Sequence, residues 1–554
     1  MSDLAALPPV SLSSRFLASL ARRVAPLSLA ITGCATALVL AIGLRDPLKD
    51  DIAWLLYVAQ QWMHGQRLYV DLVEVNPPLV VWLYAIPVAI GGSIGIAPKL
   101  IAIPMFTLLA LACSWWASSP VSVARRGTIP RAPIFALIAC VVLLIPGEEL
   151  GQREHLLAMT ALPYLALVGN ELAGRRAPVG RAVLIGILAA LGCALKPRYI
   201  GAFGLVELFA VCQGGKLLRP VSLAAAATLG AYALAVAVWV PRFFTEAVPM
   251  ALALYGVTDE RLLDVVLDCW RLVAGVGIGF LLLAAHRGER DRVMRLAVLF
   301  VFAAGATMVC IMEGKNWFYH RLPATISIII GLVALLAWVV AQVRSRSLPR
   351  GWLATYAVFA SVTLFLFGLR AYERLEPRVT LALTNEAASG EQIVAKRLAA
   401  IVRREHARSY LAFSEWIALG FPVVNNTGVV WASRFDSMWA LQARLDLDGL
   451  LSGIGSPKRG APDTDDAARD WPVARWVVDD FLRVCPDLVV VDLGAPADYV
   501  ALLSDANASF RRVWRLYRPI DRLGRIIVFR NGANDATRRA ADCGKDQSIP
   551  VALR

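Results

Sequence analysis

Repeated long apolar runs constrain this sequence more than any other feature. The run from Val24 to Leu44 is long enough to cross a bilayer, for which a helix needs about 20 residues. Similar runs recur as far as about residue 370. Hydrophobic residues make up 58% of the chain and charged residues only 18%, which excludes an ordinary soluble protein. The sequence therefore predicts a polytopic α-helical membrane protein.

The net charge of +14 does not indicate binding to nucleic acid. The arginines form short clusters between apolar runs, as in cytoplasmic loops, rather than a basic stripe interleaved with aromatic residues. Arg22 and Arg23 precede the first run and place the N-terminus in the cytoplasm. If the apolar run Pro78–Gly95 lies along the membrane surface or dips into it without crossing, every later basic cluster also lies on the cytoplasmic side.

This orientation predicts about eleven transmembrane helices in a domain of residues 1–370, whose first outer loop is 45–96. The expected spans are about 24–44, 97–119, 133–146, 155–171, 181–195, 199–213, 220–240, 267–285, 293–312, 322–341 and 351–369.

The composition changes after about residue 370. Helix-like patterns at 390–406 and 475–484 alternate with short β-like runs at 410–413, 488–491 and 525–529. We therefore expect residues 371–554 to form an α/β domain on the periplasmic side of a bacterial inner membrane. Cys485 and Cys543 would face an oxidising compartment there, and the sequence leaves open whether they pair.

Four outer loops of this topology collect acids and bases beside apolar helices. Such charges cost free energy unless they are paired or hydrated, so they mark a functional site, although anchoring at the membrane interface is an alternative. The residues are Asp50, Asp51, Asp71 and Glu74; Glu149, Arg153, Glu154 and His155; Lys196 and Arg198; and Lys315, Tyr319, His320 and Arg321.

An external acid with several cations and an apolar rim suits a lipid-linked sugar donor. No P-loop, dinucleotide fingerprint or zinc-type cysteine spacing occurs in the sequence. A carboxylate of the first loop could deprotonate the acceptor hydroxyl. Cations would hold the leaving phosphate, and the candidates are Arg153, Lys196, Arg198, Lys315, His320 and Arg321. We expect Asp71, Glu74, Glu149, Glu154, His155 and Tyr319 to bind substrate.

The first outer loop resembles that of the GT-C superfamily of membrane glycosyltransferases, and is similar to that of bacterial protein O-mannosyltransferases and aminoarabinose transferases. The matching segments are Asp51-Ile52-Ala53-Trp54, Gly65 with Tyr69-Val70-Asp71, and Asn76-Pro77-Pro78-Leu79. The resemblance covers about residues 24–370. It implies that Asp51 is the catalytic base, with Asp50 as second candidate, and that the loop from Lys315 to His320 contacts the donor phosphate.

One departure from the family pattern concerns metal ions. Ile52 stands where the family usually has a second acid, so no cofactor is expected and a divalent cation remains open.

The sequence predicts an inverting glycosyltransferase that moves a sugar from a polyprenyl-phosphate carrier to an envelope glycan, lipid or protein. A transporter or flippase of lipid-linked sugars and a non-catalytic envelope assembly protein are the alternatives.

Overall fold

The computed structural model describes residues 12–118, 131–258, 260–284, 290–315, 317–344, 390–448 and 471–532, together with parts of 358–380. Up to residue 344 it consists of helices joined by short loops. They are α1 (Leu12–Arg45), α2 (Asp50–Met63), α3 (Pro78–Ile94), α4 (Pro98–Ala117), α5 (Arg131–Leu144), α6 (Arg153–Leu172), α7 (Val179–Leu195), α8 (Ile200–Cys212), α9 (Pro220–Trp239), α10 (Val248–Leu254), α11 (Leu262–Asp268), α12 (Trp270–Ala284), α13 (Arg290–Met312) and α14 (Phe318–Arg344).

Among the described residues, five helices are long and apolar enough to cross a bilayer. These are Val24–Arg45 within α1, then α4, α9, α13 and Phe318–Trp338 within α14. Helices α11 and α12 meet at a bend of 54° and would together make a sixth. The prediction of a polytopic helical membrane protein is thus confirmed. The count of eleven stays a prediction, because α3, α5, α7 and α8 are shorter and the expected span 351–369 lies largely outside the described residues.

Helices α7 and α9 approach each other closely where a glycine faces the neighbouring backbone. In α7, a Cβ on Gly186 would lie only 2.4 Å from the carbonyl oxygen of Val221 in α9. Small residues permit such contacts between membrane helices, where packing replaces the hydrophobic effect as the main attraction. An ion-pair network also joins α6, α8 and α9, since Arg219 binds Glu171 at 2.8 Å and Glu207 at 2.5 Å.

Two of the expected outer loops are helix starts instead. Arg153 and Glu154 occupy the first turn of α6, and His320 and Arg321 occupy the first turns of α14. The two spans expected from the sequence, 155–171 and 322–341, begin only after these charged residues. A helix can nevertheless begin with charged residues because the N–H groups of its first turn need no intrahelical partner. These side chains are therefore held by regular backbone rather than by loops.

The first outer loop contains two helices. Asp50 and Asp51 form the first turn of α2, where acidic residues are favoured by the helix dipole. Pro78 opens α3, in a position where its missing N–H is not needed. Trp54 in α2 is bonded to the segment before α3: its Nε1 donates a 2.7 Å hydrogen bond to Glu74 Oε2, and both side chains are buried.

The C-terminal region folds around a five-stranded sheet, as the α/β prediction expected. Its strands are β1 (Ser409–Phe413), β2 (Val430–Trp431), β3 (Leu488–Asp492), β4 (Tyr517–Leu523) and β5 (Ile526–Asn531), in the order β2-β1-β3-β5-β4. Strand β1 pairs in parallel with β2 and with β3, whereas β5 pairs antiparallel with β3 and with β4. The helices are α15 (Gly390–Arg404), α16 (Val423–Thr427), α17 (Trp439–Leu447), α18 (Val473–Val484), α19 (Tyr499–Ala506) and α20 (Ala508–Trp514).

Two of these strands were not visible in the sequence. Strand β2 has only two residues, and β4 contains Pro519 and several charged residues, which suit an edge strand but hide its pattern. The expected domain boundary near residue 370 lies among residues that are described only in part, so it stays a prediction.

Candidate active site

A cavity of about 500 Å³ lies between the first outer loop, the beginnings of α6 and α14, and the C-terminal domain. Carboxylates outnumber cations among its lining residues by eight to four. The charged lining residues are Lys49, Asp50, Asp51, Glu74, Glu148, Glu149, Arg153, Glu260, Lys315, Arg374, Glu415 and Asp436. We refer to it below as the acidic cavity.

Asp51 is fixed in the acidic cavity by two neighbours from the start of α6. Gln152 Nε2 donates a 3.0 Å hydrogen bond to Asp51 Oδ2, and Arg153 Nη2 lies 3.9 Å from Asp51 Oδ1. Burial, followed by the nearby Asp50 carboxylate, raises the pKa of Asp51 to about 6, although Arg153 and Lys49 oppose this shift. A carboxylate with a pKa near 6 is a better proton acceptor than an ordinary aspartate and is still ionised at neutral pH.

Other acids in the cavity are pushed further toward their neutral forms. Burial raises the pKa of Glu149 well above its usual range, and Glu149 is only 3% exposed. Burial, together with the charges of Glu74 and Asp51, raises the pKa of Asp436 to about 8, although hydrogen bonds from the Ser437 backbone and the Trp439 side chain oppose this shift. At neutral pH the cavity therefore combines an ionised Asp51 with a protonated Asp436, whose carboxyl group can donate a hydrogen bond.

Three of the expected phosphate-binding residues lie beyond Arg153, beside two buried acids, Glu154 and Glu313. Lys196 Nζ is 3.0 Å from Glu154 Oε1 and 3.6 Å from Glu313 Oε2. His320 Nε2 is 3.5 Å from Glu154 Oε1, and Arg198 reaches Glu313 at 3.1 Å. The structure thus brings Lys196, Arg198 and His320 together, but their partners are two acids of the protein itself.

The remaining two cations occupy different places. Lys315 lines the acidic cavity, where its Nζ donates a 3.0 Å hydrogen bond to the carbonyl oxygen of Tyr255. Arg321 lies in a second cavity of about 390 Å³ with Arg271 and Arg374, where Asp268 is the only lining carboxylate among the described residues. Apolar side chains complete this basic cavity: Ile145, Trp270, Leu272, Phe318 and Phe367.

The acidic and basic cavities are neighbours, because Phe318 and Arg374 line both of them. Arg374 stacks its guanidinium 3.6 Å from the centre of the Phe318 ring and lies 3.7 Å from Glu148. Three arginines in an apolar hollow suit an anion that carries a hydrocarbon chain, since arginine binds phosphate through several parallel hydrogen bonds.

The structure separates the expected substrate-binding residues into two groups. Glu74, Glu149 and Tyr319 line the acidic cavity. Asp71, Glu154 and His155 do not: Asp71 pairs with the exposed Arg67, and Glu154 pairs with Lys196. His155 is buried, with its Nε2 2.9 Å from the Val142 carbonyl oxygen and its Nδ1 accepting from the backbone of Gly151.

Several lining residues were not predicted from the sequence. Arg271 carried a signal, because a charge inside an expected span marks a functional position. Asp436 carried none, since one aspartate in a charged tail is ordinary and only the folded chain brings it near the first outer loop. In the described part of the chain, no group of three or more His, Cys, Asp or Glu side chains is arranged to hold a metal ion.

Comparison with solved structures identifies the fold. The crystal structure of ArnT from Cupriavidus metallidurans bound to undecaprenyl phosphate matches over 92% of this chain and 98% of that one, with a TM-score of 0.50 and 14% identity. The chain shares its fold with ArnT. No family model and no curated protein matches the sequence. The shared fold extends through the C-terminal domain, since the match covers nearly the whole of both chains.

Proposed function

We propose that this protein is an inverting glycosyltransferase that uses a polyprenyl-phosphate-linked sugar as donor. The observation that carries the proposal is the position of Asp51, a carboxylate that shares one cavity with Arg153 in a GT-C-like fold. ArnT, the similar protein, was crystallised bound to undecaprenyl phosphate. The neighbouring basic cavity offers arginines and apolar side chains to such a lipid phosphate.

The reaction follows from these positions. Asp51 accepts the proton of the acceptor hydroxyl, whose oxygen attacks the anomeric carbon of the donor sugar. The bond between that carbon and the phosphate oxygen breaks, and the polyprenyl phosphate leaves with the electron pair. Arg374, at the boundary of the two cavities, and Arg271 and Arg321 beyond it stabilise the charge that develops on the phosphate. Attack from the face opposite the phosphate inverts the anomeric centre.

We also propose that the acidic cavity opens on the periplasmic side. Helix α6 has the cavity at its first residue and Arg175 and Arg176 just after its last, and its 20 residues span about 30 Å at 1.5 Å per residue, the thickness of a bilayer core. Basic clusters favour the cytoplasmic end. Cys485 in the C-terminal domain is disulfide-bonded, as suits an oxidising compartment, and Cys543 lies outside the described residues.

A transfer assay with purified protein in lipid nanodiscs tests this function. A panel of undecaprenyl-phosphate sugars serves as donors, and an envelope lipid and glycan extract supplies acceptors. Wild-type protein should transfer at least one sugar, and Asp51→Asn should lower the rate by about 10²–10⁴, the usual contribution of a general base. The control is Asp264→Asn, which changes an exposed aspartate of α11. Full turnover by Asp51→Asn would exclude Asp51 as the base, and Asp50→Asn would then be measured in the same assay.

A further inference from the structure

The C-terminal domain forms one wall of the acidic cavity. Its contributions include two carboxyl groups, a hydroxyl group, an amide and two indole rings. They are Glu415, Trp416, Asp436, Ser437, Trp439 and Gln442. This domain is therefore not a separate appendage, because the cavity that contains Asp51 is incomplete without it.

Direct bonds to the rest of the protein fix the position of this wall. The backbone N–H of Val73 in the first outer loop donates a 2.8 Å hydrogen bond to the carbonyl oxygen of Arg434. The guanidinium of Arg434 is in turn held by both carboxylate oxygens of Asp480 at 3.0 Å. On the other side, the rings of Tyr255 and Trp439 pack edge to face with centroids 5.5 Å apart.

Two polar atoms of the wall are buried without a hydrogen-bond partner among the described residues. They are Asp436 Oδ1 and Ser437 Oγ, and Ser437 is only 3% exposed. Buried polar atoms in folded proteins nearly always have partners, so two adjacent unpartnered atoms that line one cavity are available to hydrogen-bond a ligand. Glu149 Oε2, which lines the same cavity, is a third such atom.

The chemistry of these groups matches the hydroxyl groups of a sugar. A serine hydroxyl donates one hydrogen bond and accepts others, as a sugar hydroxyl does. Asp436 can act in the same way, because its raised pKa leaves it protonated at neutral pH. The rings of Tyr255 and Trp439 offer apolar surface beside these polar atoms, a combination that is usual in small-molecule sites.

We propose that the C-terminal domain completes the donor-sugar subsite, in which Asp436 and Ser437 hydrogen-bond hydroxyl groups of the sugar carried by the lipid phosphate. This inference rests on the proposed function, because a lipid phosphate in the basic cavity places its attached sugar in the adjoining acidic cavity. Asp436 and Ser437 are thus specificity-determining residues, and the proton acceptor remains Asp51.

The test measures binding to the purified full chain in nanodiscs. The probes are undecaprenyl phosphate and its esters with a pentose, a hexose and an aminopentose. Wild-type protein should bind at least one ester more tightly than the bare lipid phosphate. Asp436→Ala and Ser437→Ala should each reduce this gain by about 2- to 12-fold, the effect of one hydrogen bond of about 0.5–1.5 kcal/mol. Their affinity for undecaprenyl phosphate itself should stay at the wild-type value, which also shows that they are folded.

Two further variants sharpen the result. Asp436→Asn should retain most of the gain, because an amide donates and accepts hydrogen bonds as a protonated carboxyl does. Asp479→Ala, which removes an exposed aspartate of the same domain, should behave as wild type. The inference is overturned if no ester binds better than bare undecaprenyl phosphate, or if the gain survives in Asp436→Ala/Ser437→Ala. Wild-type protein that binds none of the probes would overturn the proposed function itself.

Discussion

Arg153 Nη2 lies 3.9 Å from Asp51 Oδ1, and the two side chains meet in a cavity where acids outnumber bases. The pKa of Asp51 is the balance of opposing influences: burial and Asp50 raise it, whereas Arg153 and Lys49 lower it. The result, about 6, places the ionisation of the proposed base just below neutral pH. Each neighbour can therefore be tested by the direction in which its removal moves this pKa.

The first prediction concerns the pH dependence of kcat/KM. A base must be deprotonated to act, so the transfer rate of the wild type should fall as pH drops below about 6. Arg153→Gln removes a positive charge that favours the ionised form, and the acid limb should move to higher pH by about one unit or more. Asp50→Asn removes a negative charge, and the limb should move to lower pH.

The opposite signs make this prediction selective. General damage to the site would lower the rate in both variants but would not shift their acid limbs in opposite directions. Asp264→Asn, on an exposed face of α11, should leave the limb near pH 6. If Arg153→Gln and Asp50→Asn shift the limb in the same direction, the group that titrates in this range is not Asp51.

A second prediction concerns the basic cavity. Arg271→Gln and Arg321→Gln should each weaken the binding of undecaprenyl phosphate by about 10- to 150-fold, since hydrogen bonds to a charged group contribute about 1.5–3 kcal/mol. Binding measured by competition with a fluorescent lipid phosphate gives the affinities. The control is Lys216→Gln, which removes an exposed cation beyond the C-terminal end of α8. Unchanged affinity in both arginine variants would place the phosphate elsewhere, with Arg153 and Lys315 as the next residues to change.

Sequence alone predicted the kind of fold and the first outer loop better than the rest of the site. Apolar runs report membrane helices directly, and the order of Asp51, Tyr69 and Pro78 marks a loop that carries the candidate base. Neither signal reveals which charges pair with each other. Lys196 and His320 look like free cations in the sequence, but the fold places Glu154 and Glu313 beside them. Asp436 reaches the cavity only through tertiary contacts, which no local pattern encodes.

A third prediction concerns the close contact of α7 with α9. Gly186→Val should destabilise the protein by about 1–3 kcal/mol or more, because its Cβ would meet the Val221 carbonyl oxygen at 2.4 Å and the helices must separate. Gly180→Val is the matched control in the same helix, since a Cβ there has no atom within 4 Å among the described residues. Thermal unfolding in detergent measures the difference. Equal stability of the two variants would contradict the close spacing of α7 and α9.

The last prediction separates a structural role of Lys196 from the phosphate-binding role that its sequence position suggested. Lys196 is 14% exposed and lies between Glu154 and Glu313, which are almost fully buried. Lys196→Met leaves two buried acids without their main cation, so we expect a loss of about 3–5 kcal/mol of unfolding free energy. Arg198→Met, at a side chain that is 53% exposed, should cost less than about 1 kcal/mol.

Restoring the charge balance provides the decisive comparison. Lys196→Met/Glu313→Gln should recover part of the lost stability, because the second change removes one of the two uncompensated charges. A phosphate-binding lysine would behave differently: its removal would weaken undecaprenyl phosphate binding without lowering stability, and Glu313→Gln would not repair the defect. Unfolding free energy and lipid-phosphate affinity are therefore measured for Lys196→Met, Arg198→Met and Lys196→Met/Glu313→Gln. The comparison decides whether these ion pairs only stabilise the fold around the site or bind the phosphate themselves.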